Sequence, residues 1–213
     1  MPAYIVQAQV VDVTTDQPRS TDVFWVDTNV WFWMTYGRFH LRAQDRRPKA
    51  NQTRSYPPFV KNGLRAKAQF HWIGLSLSEL ARQIEDAERE IAETTGQIAP
   101  GTKAKAFRHD HPALRRAVVQ EVESCWRQVE QFGSPLPTAP VIDAAAVNTA
   151  LTDMQALPLD AYDLFAVQAI RSSSIPQVLT DDGDFCTVPG VTLFTANRGV
   201  IEAARAQGKL VKR

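Results

Sequence analysis

Short stretches of this chain place carboxylates where an apolar run ends. Asp27 closes the run "VFWV" and is followed by Thr28 and Asn29. Asp181, Asp182 and Asp184 follow the run "QVLT", which ends at Thr180. Between them, "SLSEL" carries Glu79 and "DAYDLF" carries Asp160 and Asp163. A carboxylate taken out of water is costly unless its charge is compensated. Several carboxylates at one place also repel one another and do not all stay ionised without a counter-charge. A divalent cation is a compact counter-charge, and an all-oxygen donor set selects Mg²⁺ or Mn²⁺ over zinc. An ion held by one or two carboxylates keeps positions open for phosphate oxygens. It activates water for attack on a phosphodiester.

Each acid has a second reading. Asp27 also fits the cap of a following helix. Glu79 stands three residues after Ser76, the spacing of a capping box. Asp160 and Asp163 suit a helix N-terminus, where the backbone dipole favours carboxylates. "DDGDF" also reads as a solvated acidic turn. The arrangement of all of them in one chain carries more weight than any single residue.

The elements that would position these acids follow from the periodicity. Residues 3–13 read as an edge-like strand, followed by the turn-like "TTDQPRST". "DVFWVD" is a continuous apolar run of the type found in buried parallel strands. "TNVWFWMTYG" leads into a helix. An irregular loop follows, then a helix over "PPFVKNGLRAKAQF" opened by its prolines. "HWIGL" reads as a short strand and "SLSELARQIEDAEREIAE" as a helix with Leu77, Leu80, Ile84 and Ile91 on one side. "TTGQIAPGTKAKAFRHDHP" reads as loop, "ALRRAVVQEVESCWRQVEQF" as helix, "GSPLPTAP" as linker and "VIDAAAVNTALTDMQAL" as a third helix. Then helix "DAYDLFAVQAIRSS", strand "PQVLT", turn "DDGDF", strand "GVTLFT" and helix "ANRGVIEAARAQG" alternate with short links. That alternation signals a parallel sheet covered by helices. The acids after "VFWV" and "QVLT" then project from one rim, where ligands of open α/β sheets bind.

The 213 residues, 44% apolar and 22% charged, suffice for one good-sized α/β domain with a core, and the net charge of +1 makes any charge argument regional. Cys125 and Cys186 lie 61 residues apart, which is neither a metal spacing nor a disulfide framework. They read as free thiols in a reducing cytoplasm. No stretch resembles a signal peptide, and no run of about 18 apolar residues suggests a membrane span.

The motifs "VFWVDTNVWF", "SLSEL", "YDLFAVQAI" and "VLTDDGDF" together resemble the PIN-domain nucleases, and within them the VapC-like ribonuclease toxins. The likeness covers roughly residues 22–29, 75–80 and 159–195, and 16 residues separate Asp163 from Thr180. The resemblance implies a single three-layer α/β/α domain over residues 1–213 with a mainly parallel central sheet. Residues 1–21 would be an N-terminal extension and 86–158 a helical insert, since such toxins are shorter. It implies a metal-dependent ribonuclease using Mg²⁺ or Mn²⁺, with RNA as substrate and a small antitoxin protein as partner. A homo-oligomer is left open. Asp27, Glu79, Asp163 and Asp182 would be catalytic, with Asp27, Asp163, Asp182 and Asp184 on the metal. Thr28, Asn29 and Thr180 would orient carboxylates or water. The alternative is a non-catalytic RNA- or protein-binding module on the same fold. A phosphoacceptor domain fits less well, because a single aspartate ends the first acidic strand.

The region from Arg38 to Lys67 has nine basic residues and one acid, Asp45. Arg38, Arg42, Arg46, Arg47, Arg54, Lys61 and Arg65 are candidate phosphate contacts. Tyr36, Phe39, Tyr56 and Phe59 interleave with them and are candidates for stacking on unpaired bases. A second basic group comprises Lys103, Lys105, Arg108, Arg115 and Arg116.

Overall fold

Alternation along the strands divides the core in two. The computed structural model describes residues 4–136 and 142–213. Its strands are β1 (Gln9–Asp12), β2 (Val23–Val26), β3 (Gln69–Trp72), β4 (Ser134–Pro135), β5 (Gln177–Leu179), β6 (Thr192–Thr195) and β7 (Leu210–Val211). They form one seven-stranded sheet in the order β4-β3-β2-β5-β6-β1-β7, with every pairing parallel. The register aligns Trp25, Val178, Leu193 and Val10 in one row and Val26, Leu179, Phe194 and Val11 in the next. Successive side chains of a strand point to opposite faces, so each row belongs to one face.

The helices are α1 (Thr28–Thr35), α2 (Ala50–Ala66), α3 (Gly74–Thr94), α4 (Ala104–Asp110), α5 (Pro112–Phe132), α6 (Ala144–Ala156), α7 (Ala161–Ser173) and α8 (Arg198–Ala206). The Trp25 row packs with Ala150 of α6, Leu164 and Val167 of α7 and Val200 of α8. The Val26 row packs with Trp31 of α1, Val60 of α2, Ile84 of α3 and Val129 of α5. Two helical layers thus enclose the sheet. Burial on both faces accounts for the uninterrupted apolar run of β2 and for the adjacent Leu193 and Phe194 of β6.

The sequence-based boundaries shift in several places. The strand expected over residues 3–13 is regular for four residues only. Helix α2 begins at Ala50, so Pro57 and Pro58 lie inside it rather than at its start. Each removes a backbone donor, and the helix survives because Tyr56, Phe59 and Val60 are buried beneath it. The loop expected before residue 112 contains the seven-residue α4, whose Phe107 is buried against Val118 of α5. Helix α3 starts at Gly74 with Ile73 as its cap. The expected pairing of Ser76 with Glu79 therefore does not cap it; the Ser76 hydroxyl instead accepts from the Ile73 N–H at 3.4 Å. In the expected linker, Ser134 and Pro135 pair with β3, while residues 137–141, including the start of the helix read from Val141, lie outside the described residues.

Residues 86–158 carry the second half of α3 together with α4, α5, β4 and α6. Cys125 and Val129 of α5 belong to the main apolar cluster over β2. Within residues 1–21, β1 lies between β6 and β7. Cys125 and Cys186 are both free and buried. Among the described residues no helix is long and apolar enough to cross a membrane.

Candidate active site

Strand β2 has β3 on one side and β5 on the other, so the chain reverses its winding direction between β2 and β5. A crevice opens at such a switch point, beyond the carboxyl ends of the two strands. Asp27 enters it directly after Val26, its N–H donating to the Leu179 carbonyl at 3.1 Å. Asp27 also occupies the cap position of α1, yet its side chain caps no backbone group. Its Oδ2 instead accepts from the Thr180 hydroxyl and from Asn29 Nδ2, the latter at 2.6 Å. The Thr180 oxygen in turn accepts from Asn29 Nδ2 at 3.2 Å and from the Asp182 N–H at 2.9 Å. One buried hydroxyl therefore links the acids at the ends of two neighbouring strands.

Asp27 is 5% exposed. Burial pushes its pKa up to about 7, with Glu79 and Asp182 adding repulsion and the Thr180 hydrogen bond opposing it. Asp163 lies in the first turn of α7. The capping role there belongs to Asp160, whose Oδ1 accepts the Asp163 N–H at 3.0 Å. Burial raises Asp163 to about 9, reinforced by Asp27, Asp160, Asp182 and Glu79. Those mutual effects place Asp27, Glu79, Asp163 and Asp182 around one crevice.

Glu79 comes from α3. Its Oε1 accepts from Gln83 at 3.2 Å, while its Oε2 is buried without a partner. Asp182 Oδ1 accepts the Asp184 N–H at 2.9 Å, which shapes the turn after β5. Asp184 sits further out, and its pKa is raised by partial burial and then by Asp182 and Asp160. Thr28 is buried and does not touch the carboxylates through its hydroxyl. That hydroxyl pairs with Tyr162 at 3.1 Å, and Tyr162 reaches Ser76 at 3.4 Å. Tyr162 thus ties α1, α3 and α7 together beneath the crevice; its place beside Asp163 was the sole signal in the sequence.

Gly183 sits under the ring of Tyr4. A Cβ there would stand 2.3 Å from the Tyr4 hydroxyl oxygen and 2.6 Å from Cζ. Gly183→Ala should displace the ring end of the partly exposed Tyr4 and cost no more than about 1 kcal/mol. Tyr4→Ala should add little in that background, and thermal unfolding of the four-member mutant cycle measures this. Full additivity would show that the contact carries no energy.

The fit to a metal ion rests on donor chemistry. Among the described residues no three acidic, histidine or cysteine side chains stand close enough, as placed, to hold one ion. The crevice nevertheless offers hard oxygens throughout. Glu79 Oε2 and Asn29 Oδ1 are buried without a hydrogen-bond partner. A buried acceptor left unpaired costs about 1–3 kcal/mol, which a Mg²⁺ or Mn²⁺ ion or its bound water would offset.

Two grooves flank the crevice. One, of about 720 Å³, runs past Asn29, Trp33, Arg42, Arg46 and Arg89. The other, of about 690 Å³, runs past Glu79, Asp160, Tyr162, Arg108 and Arg115. The expected RNA contacts divide accordingly. Arg38 pairs with Glu88, Arg42 with Glu90, and Arg47 donates to the carbonyls of His40 and Arg42. Arg46, Arg54, Lys61 and Arg65 are exposed. The expected base-stacking role fails for Tyr36, Tyr56 and Phe59, which are 2%, 0% and 3% exposed. Phe39 is partly buried against the same cluster. The interleaved pattern reflects helix packing, not a stacking surface. Comparison with protein-family models, curated proteins and solved structures returns no match.

Proposed function

We propose that the protein is a metal-dependent ribonuclease on a PIN-like fold, hydrolysing RNA phosphodiester bonds at the crevice between β2 and β5. The observation that carries this reading is the convergence of Asp27, Glu79, Asp163 and Asp182, from two strand ends and two helices, with Asp27 and Asp163 lifted by burial and then by mutual repulsion. Structural carboxylates are normally paired, and here the ion pair recorded for these four acids among the described residues is one long contact, Arg82 to Glu79 at 3.9 Å. Perturbed acids in a cleft mark functional sites.

Asp27, Asp163 and Asp182 would hold the ion, with Glu79 beside them and Asp184 at the outer rim. When bound, Mg²⁺ or Mn²⁺ supplies charge stabilisation at the phosphate and makes water a better nucleophile at neutral pH. The chain's part is orientation. Thr180 and Asn29 fix one oxygen of Asp27 and leave the other for the site. The Asp184 N–H does the same for Asp182. Asp163 is positioned by its helix and keeps its carboxylate free of protein donors among the described residues. An acidic crevice also suits an inhibitory partner that inserts a basic side chain, as an antitoxin of a toxin–antitoxin pair would.

Metal removal tests the reading. A mixed pool of tRNA, rRNA and mRNA should be cut in Mg²⁺ or Mn²⁺ and spared in EDTA, with cutting restored by excess Mg²⁺. Equal cutting in EDTA, or none in either metal by the folded protein, would sink it.

A further inference from the structure

We infer that the groove on the Glu79 side seats an RNA phosphate on Arg108 and Arg115, two arginines held side by side on the single buried carboxylate of Glu85. This rests on the ribonuclease reading above and extends it to how the RNA strand lies.

The side chain of Glu85 is 6% exposed. Arg108 Nε donates to its Oε1 at 2.8 Å and its Oε2 at 2.9 Å, and Arg108 Nη2 lies 2.7 Å from Oε1. Arg115 Nη1 donates to Oε2 at 2.7 Å. One cation would suffice to neutralise a buried carboxylate. Two are present, so the pair carries a surplus positive charge. The guanidinium groups are also not buried with their partner: their side chains remain 50% and 42% exposed. Arg108 Nη1, and Nε and Nη2 of Arg115, have no hydrogen-bond partner among the described residues. The arrangement fixes one edge of each arginine and offers the other to the groove. Such a fork matches the geometry of a phosphate.

The groove leads from these arginines past Tyr162 and Asp160 to Glu79. A phosphate seated there would therefore lie along a strand whose neighbouring linkage enters the acidic crevice. The groove on the Asn29 side is less suited. Its three arginines face four acids, and Arg42 and Arg89 are already bonded to Glu90, Asp86 and Glu93. Helices α4 and α5 thus contribute to substrate binding as well as to packing.

The test is binding of a fluorescent single-stranded RNA to the full chain across a salt series, with Ca²⁺ in place of Mg²⁺. Removing the arginines alone would strand a buried charge, so the variant is Glu85→Gln/Arg108→Gln/Arg115→Gln, which keeps hydrogen bonding without ions. Its slope of log affinity against log salt should fall by about 1.4, the value for two lost contacts to single-stranded RNA. Arg108→Lys/Arg115→Lys should keep most of the slope. An unchanged slope in the triple variant, with a wild type that cleaves RNA, overturns this site alone. A folded wild type that neither binds nor cleaves RNA overturns both this site and the ribonuclease reading.

Discussion

Asp163→Asn should lower RNA cleavage by about a thousandfold or more and yet stabilise the metal-free protein above neutral pH. Burial and four neighbouring acids raise Asp163 to about 9, against 3.8 for the free side chain. A group whose folded pKa is raised binds its proton more tightly in the folded state. Folding stability is then undiminished below about pH 4 and falls as pH rises towards 9. Asp27, raised to about 7, adds to the loss over the lower part of that window. Each unit of upward shift costs up to about 1.4 kcal/mol once the pH exceeds the folded pKa, and each kcal/mol is worth about 2–4 °C. Asparagine carries no charge, so the variant should unfold several degrees higher than wild type at pH 8–9 in EDTA. The difference should vanish near pH 4. Added Mg²⁺ should stabilise the wild type and not the variant, because an ion that binds only the folded state raises its stability. Binding should also displace protons from the wild type near pH 7. Scanning calorimetry at pH 4, 7 and 9, with and without Mg²⁺, reads all of this. A wild type whose melting temperature in EDTA does not depend on pH would remove the electrostatic basis of the site.

Tyr56→Phe should cost about 2–4 kcal/mol and lower cleavage about 10- to 100-fold. The Tyr56 hydroxyl is buried and donates to Asp181 Oδ1 at 2.7 Å, with the Thr180 carbonyl 3.2 Å away. It accepts the Ala196 N–H at 2.8 Å and pairs with Thr195 at 3.2 Å. Gln52 holds the other oxygen of Asp181 at 2.7 Å. Removing the hydroxyl leaves a carboxylate oxygen and a backbone donor short of partners beside the turn that carries Asp182. The melting temperature should fall by roughly 4–16 °C. If Tyr56 acted by stacking on a base, phenylalanine would replace it without loss of stability, and calorimetry separates the two.

The parallel sheet was legible because β2 is an unbroken apolar run and β5 and β6 carry consecutive apolar residues, Val178–Leu179 and Leu193–Phe194, as two-sided burial demands. The strand-end positions of Asp27 and Asp182 follow from those same runs. The edge strands β4 and β7 were not legible, since two residues carry no period. The start of α2 was hidden because "ANQTRS" has no apolar stripe and its prolines mimic a start. Residues 104–110 bury one side chain, Phe107, too little for a period, so α4 depends on its neighbour. The assignment of Glu79 to a cap failed on a boundary: moving the helix start back to Gly74 changed what Ser76 could reach. The polar ties of Tyr162 and Tyr56 join residues more than 80 positions apart, and no local pattern encodes them.

The sheet's two margins also decide how other proteins can attach. At one margin β4 is two residues long and contains Pro135, whose nitrogen bears no hydrogen. At the other, β7 is again two residues, flanked by the exposed Lys209 and Lys212. Short, proline-bearing and cationic borders resist strand addition and the aggregation it seeds. Among the described residues, a seven-stranded sheet with such borders offers little template for β-augmentation. Among the described residues, the helices and the crevice they frame are therefore the broader surfaces for recognition.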